Sequence, residues 1–136
     1  HVPFVIRERE DGTAVAQFHL TARNPLVSLA DGRRRFLLAV SGADAYVSND
    51  WYRSNDQVST WLYEAVHLSG VAHLRAMDEN RPHGDALLDV SEARLAKEPW
   101  TLAGMEPAKR ESMLRAIRVV DLVVDTVEGQ SKLNQH

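Results

Sequence analysis

From Val58 to Met77 the chain alternates with a period of two, placing Leu62, Val66 and Leu68 on one side and Trp61, Tyr63 and His67 on the other. That period belongs to a β-strand, so the segment reads as one long strand, or as two that meet at Gly70, where a glycine commonly marks a bulge. The aliphatic face is expected in the core and the aromatic face away from it. Asp11-Gly12 offers the positive φ that a tight hairpin turn needs, with Val2, Phe4 and Ile6 alternating before it. After it Ala14, Ala16, Phe18 and Leu20 share one face and Gln17, His19 and Thr21 the other, which predicts a half-buried strand. Phe36 to Val40 is an unbroken apolar run, as in a central strand covered on both faces. A turn at Ser41 to Asp44 and a strand from Ala45 to Ser48 follow, and Val119 to Val127 closes the chain as a β-branched strand.

Three helices are expected between these strands. Pro25 to Ala30 is short with proline in its first turn; Asp85 to Lys97 is amphipathic, with Glu79 to Gly84 ahead of it read as an exposed loop; Pro107 to Ile117 again opens on proline. The order predicts a mainly β, α+β fold, an antiparallel barrel or curved sheet with peripheral helices.

At 136 residues the chain is expected to form one domain over 1–136. Lys plus Arg number 16 against 19 Asp plus Glu, so the whole-chain field draws it toward neither nucleic acid nor anionic lipid. Cysteine is absent, which removes disulfides, thiolate chemistry and sulfur-ligated zinc. The six histidines show no helical H-x-x-x-H or H-E-x-x-H spacing, and no metal site is expected. No segment is long and apolar enough to span a bilayer and no signal-peptide pattern opens the chain, so cytoplasmic location is the default. The chain starts directly on the apolar run His1 to Ile6, which suggests a start inside a longer domain.

Trp51-Tyr52 and Trp61-x-Tyr63, with Tyr46, Ser48, Thr60 and His67 close by, gather rings with polar tips. Such groups can stack on a planar ligand while fixing its edges, and a dimer interface would use the same residues. Arg23, with Thr21 and Asn24 between a strand end and a helix start, is the best anion site, although Asn24-Pro25 could equally be a simple helix cap. A triad built on Ser48 and His67 lacks a G-x-S-x-G elbow, and no glycine-rich phosphate loop is present. The two longer helices are too far apart in sequence for a helix-turn-helix.

The blocks His1-Val-Pro-Phe4, His19-Leu-Thr-Ala-Arg-Asn-Pro25, Ala45-Tyr-Val-Ser-Asn-Asp-Trp-Tyr52, Ser59-Thr-Trp-Leu-Tyr63 with Val66-His-x-x-Gly70, and Ser131-Lys-Leu-Asn-Gln135 together resemble the PaiB-type family of FMN-binding negative transcriptional regulators. The resemblance implies an antiparallel split β-barrel of the flavin-reductase and pyridoxamine-phosphate-oxidase kind, working as a homodimer with FMN at the subunit interface. It implies FMN contacts from His19, Thr21, Arg23, Asn24, Ser48, Trp51, Tyr52, Thr60, Trp61, Tyr63, His67 and Lys132. It further implies a regulatory role rather than turnover, with DNA as a partner by resemblance alone. An FMN-dependent oxidoreductase on the same barrel and a cofactor-free dimeric module are the competing readings. The family has a helix and strand before the His-Val-Pro-Phe block. It also carries Thr-Trp-Asn-Tyr where this chain has Thr60-Trp-Leu-Tyr63, and ends on Lys-x-Ser-Gln-Asn where this chain has Lys132 to His136.

Overall fold

The computed structural model describes residues 1–54 and 56–133. Five strands, β1 (Phe4–Glu8), β2 (Ala14–Thr21), β3 (Asp31–Val47), β4 (Thr60–Leu74) and β5 (Ile117–Lys132), form one sheet. Every pairing is antiparallel and the strand order is β1-β2-β5-β4-β3. Two helices, α1 (Asn80–Glu92) and α2 (Pro107–Arg115), connect β4 to β5. The first hairpin turns at Gly12, whose φ of 80° requires glycine, and Asp11 Oδ1 accepts from Thr13 N at 2.9 Å.

The core lies on one side of this sheet. Ala16, Phe18, Leu20, Leu68, Ala72, Val120 and Leu122 are buried together, and Phe4 of β1 packs against the same cluster as Phe36 and Leu38 of β3. Each large side chain buried here contributes about 1.5–3 kcal/mol. Because β1 and β3 are the two sheet edges yet share this core, the sheet must curl until its edges face each other. The groove left between them is lined by Val2, Phe4, Leu38 and Val40. This is an antiparallel barrel left open along one seam, the split barrel expected from the sequence.

Gly70 is the bulge point. The β4–β5 register slips between Ser69 and Gly70, leaving Asp125 as the extra residue on β5. A Cβ at Gly70 would stand 1.8 Å from the Val123 carbonyl oxygen, so only glycine permits this approach. Asp125 uses its freedom to take both guanidinium nitrogens of Arg35 at 2.6 and 2.7 Å, and that contact holds its carboxyl at about 2.

Four expectations from the sequence need correction. β3 is an edge strand, with Phe36, Leu38 and Val40 half-buried but Leu37 59% exposed, because none of the described elements covers its outer face. The expected turn at Ser41 to Asp44 is only an irregularity within β3. β2 is buried on both faces, since Val15 and Gln17 lie beneath neighbouring elements while Ala16 and Phe18 face the core. The second helix begins at Asn80 rather than Asp85, and the stretch read as an exposed loop holds Asn80 and His83, both fully buried.

Beyond Val123, β5 pairs only with β4, so the far parts of β3, β4 and β5 leave the barrel as a three-stranded ribbon. Of the predicted core face only Leu68 is buried; Val66 on the ribbon is 39% exposed and Val127 64%.

Candidate functional site

Register places much of the predicted site on one face of the ribbon. Tyr46 lies opposite Trp61, Asp44 opposite Tyr63, Tyr63 opposite Lys132, and His67 opposite Glu128. With a period of two, Trp61, Tyr63 and His67 therefore share a face with Tyr46 and Lys132. The Tyr46 and Trp61 rings sit 5.9 Å apart at 49°, and Trp61 Nε1–H donates to Asp44 at 3.2 Å, which fixes the indole. A groove of about 510 Å³ runs along this face between Tyr63, His67, Glu128 and Gln130. Aromatic faces, a lysine and a groove on one surface are suited to a flat anionic ligand.

The remaining aromatic-segment residues are less convergent. Thr60 belongs to the opposite face, paired with Val47. Ser48 caps the single turn Asn49–Trp51 by accepting from Asp50 N at 3.3 Å, and Tyr52 closes that turn. Trp51 is 72% exposed at the ribbon tip. The tail residues Asn134, Gln135 and His136 lie outside the described residues.

His19, Thr21, Arg23 and Asn24 stand at the other end of the sheet. Thr21 pairs with Ile117, whereas Tyr63 pairs with Lys132, fifteen residues further along β5 (132 minus 117). At ~3.3 Å per residue that is about 50 Å of strand path. Thr21 and Arg23 are exposed, and Asn24 Oδ1 is already used on Leu26 N at 2.9 Å. The helix it caps is a five-residue 3-10 segment, Pro25–Leu29, so its dipole adds little, and the anion-binding capacity here rests on Arg23 and Thr21.

Sequence reasoning missed a buried polar chain on the outer face of the sheet. Gln17 Nε2 donates to Asp121 Oδ1 at 2.8 Å, while its Oε1 faces His83 Nδ1 at 3.1 Å. His83 Nε2 meets His19 Nδ1 at 3.0 Å, with the rings edge to face at 5.2 Å. Arg75 approaches Asp121 at 3.5 Å and pairs with Glu79 at 2.8 Å. Burial, with the neighbouring His19 and Arg7 adding to it, pushes His83 down to about 4, and burial lowers His19 as well. The gap of 66 positions between Gln17 and His83 hid this contact; the one available signal was a histidine on the face of α1 that the sheet covers. Asn80 is likewise consumed structurally, donating to the carbonyls of Leu114 and Ile117 at 2.8 and 3.1 Å. Among the described residues no group of three or more His, Asp or Glu is placed to hold a metal ion.

Comparison with known proteins agrees with this architecture. "Protease synthase and sporulation protein PAI 2" of Bacillus subtilis is 27% identical over all 136 residues, and the chain spans 64% of that relative's length. Among solved structures, the FAD and heme binding protein from Mycobacterium smegmatis matches 98% of this chain and 67% of its own, with 18% identity and a TM-score of 0.59. The flavocytochrome Anf3 from Azotobacter vinelandii matches 96% of this chain and 55% of its own, with 18% identity and a TM-score of 0.54. These two likenesses establish the fold, a split barrel of the kind found in flavin-binding proteins. The family described as "Putative FMN-binding domain" matches residues 1–126. With that match over nearly the whole chain and the PAI 2 relative beside it, this protein belongs to the PaiB-type FMN-binding family, for which FMN is the candidate cofactor.

Proposed function

We infer that the protein is a cytoplasmic FMN-binding homodimer of PaiB type with a regulatory role, each flavin held between two copies of the chain. The observation that carries this reading is the separation of the two half-sites. Measured along β5, Thr21 is about 36 Å of strand path from His67 and about 50 Å from Tyr63 and Lys132, more than an FMN molecule can bridge along the sheet. A second copy that lays its Arg23 end beside this ribbon joins an anion site to an aromatic one. The same docking covers the exposed Tyr46 and Trp61, which a monomer of this size would otherwise leave to water. Bound FMN would supply a redox-active ring; the chain supplies stacking from Trp61 and Tyr63, polar edges from His67 and Lys132, and a guanidinium for the phosphate. The regulatory role rests on the relationship to the PAI 2 protein. With net charge −3, contact with DNA would require a local basic surface, and in the Arg33 to Arg35 run Arg34 and Arg35 are already paired with Asp31 and Asp125.

Arg23→Ala should lower FMN affinity by roughly 10- to 150-fold, the loss expected for one charge-assisted hydrogen bond of about 1.5–3 kcal/mol. Because Arg23 is exposed, thermal unfolding should hardly change. A flavin-fluorescence titration of both proteins checks this. Equal affinities in two folded proteins would move the phosphate elsewhere, with Lys132 the next residue to test.

A further inference from the structure

A second cavity, of about 280 Å³, lies away from the ribbon, between α1, α2 and the outer face of the sheet. Its walls are mostly apolar, with Leu88, Met105 and Met113 among them, and of the described lining side chains His19, Arg110 and the Trp100 indole carry nitrogen. His19 and Arg110 have unused donor or acceptor capacity. Arg110 gives one terminal nitrogen to the Leu102 carbonyl at 3.3 Å, but its Nε is buried with no hydrogen-bond partner.

The buried chain decides what His19 presents. Gln17 donates to Asp121, so its carbonyl oxygen faces His83 Nδ1 and can only accept; His83 Nδ1 therefore carries the proton. With one ring proton so placed, His83 Nε2 accepts from His19 Nδ1–H, which leaves His19 Nε2 as a lone pair with no hydrogen bond among the described residues. Burial keeps both rings neutral, in keeping with this arrangement. Acidic Asp121 thus fixes, through two side chains, an acceptor at the edge of an apolar cavity. Gly84 adds a separate indication. It sits inside α1, where alanine would favour the helix, yet it lines the cavity, and a Cβ there would come within 3.0 Å of Leu102 Cδ1. Glycine keeps the space open.

We propose that this cavity binds a small hydroxylated aromatic acid, whose hydroxyl donates to His19 Nε2 and whose carboxylate meets Arg110, while the apolar walls hold the ring. The volume suits one or two fused rings and is too small for a flavin or a porphyrin. This assigns His19 to a site distinct from the one holding FMN, and the assignment does not depend on flavin binding.

The probe is 6-hydroxy-2-naphthoate, which carries its donor and its carboxylate at opposite ends of a rigid ring pair. Calorimetric titration of the full chain should show saturable binding at one molecule per chain. 2-Naphthoate, lacking the hydroxyl, should bind roughly tenfold more weakly, and so should 6-hydroxy-2-naphthoate to Arg110→Gln. Gly84→Ala should melt at or above the wild-type temperature yet bind the probe several-fold more weakly, a combination that a purely structural role for the cavity would not give. FMN affinity should be the same in all three proteins. Absence of saturable binding to the wild type would overturn the proposal, as would equal affinity for the two naphthoates, or undiminished binding in both variants.

Discussion

Gly70→Ala should destabilise the protein by at least about 4 kcal/mol, a large part of the 5–15 kcal/mol that a domain of this size has available. The added methyl would lie 1.8 Å from the Val123 carbonyl oxygen and 2.7 Å from its carbon, both backbone atoms held in the β4–β5 ladder. No side chain can move to make room, so the strands must part where Ala72, Leu122 and Leu68 pack. Gly129→Ala is the matched control, on the same strand pair, since a Cβ there meets nothing within 4 Å. It should change stability by no more than ~0.5 kcal/mol. Urea unfolding of the two variants beside the wild type measures both effects, and similar midpoints for Gly70→Ala and Gly129→Ala would refute the bulge geometry.

Stability should fall as pH drops from about 6.5 to about 4. His83 has a folded value of about 4 against 6.5 for the free side chain, so between those limits the unfolded chain holds the extra proton. Where the unfolded state binds more protons, stability rises with pH; acidification therefore weakens the fold, and the effect levels off below pH 4. At ~1.4 kcal/mol per unit the loss reaches about 3 kcal/mol at most. His19, also lowered, acts in the same direction. The exposed carboxylates held low, Asp125 foremost, lose their contribution only below their ordinary values of 3.8 to 4.5, which leaves the upper window to the histidines. Denaturant midpoints taken across this range provide the check, with His83→Gln, which keeps polar atoms but takes up no proton, expected to flatten most of the slope. A wild-type midpoint unchanged between pH 6.5 and 4 would show that His83 is not buried as described.

Local signals in the sequence carried the hairpin at Gly12, the bulge at Gly70, the proline-opened helices and the length of β4, because turn chemistry and a period of two act over a few residues. Lateral order was not legible. Phe36 to Val40 is apolar throughout, and only the sheet order reveals that Leu37 faces outward from an edge strand. Burial of polar groups was equally hidden, since Asn80 and His83 are drawn inward by Ile117, Leu114, Gln17 and His19, which the chain brings together only on folding. Alternation along β4 put Trp61, Tyr63 and His67 on one face, and the chemistry of a strand end beside a helix start singled out Arg23 with Thr21 and Asn24. Neither could reveal that these groups occupy opposite ends of β5, because spacing along a chain does not report distance across a sheet.

That separation makes a shared site the central claim, and sedimentation velocity in the presence of FMN, followed at the flavin's visible absorbance, tests it most directly. The account predicts that flavin absorbance travels with a species of twice 15.3 kDa, at one FMN per chain. Flavin sedimenting with a 15.3 kDa monomer, or remaining free beside an intact dimer, would contradict it.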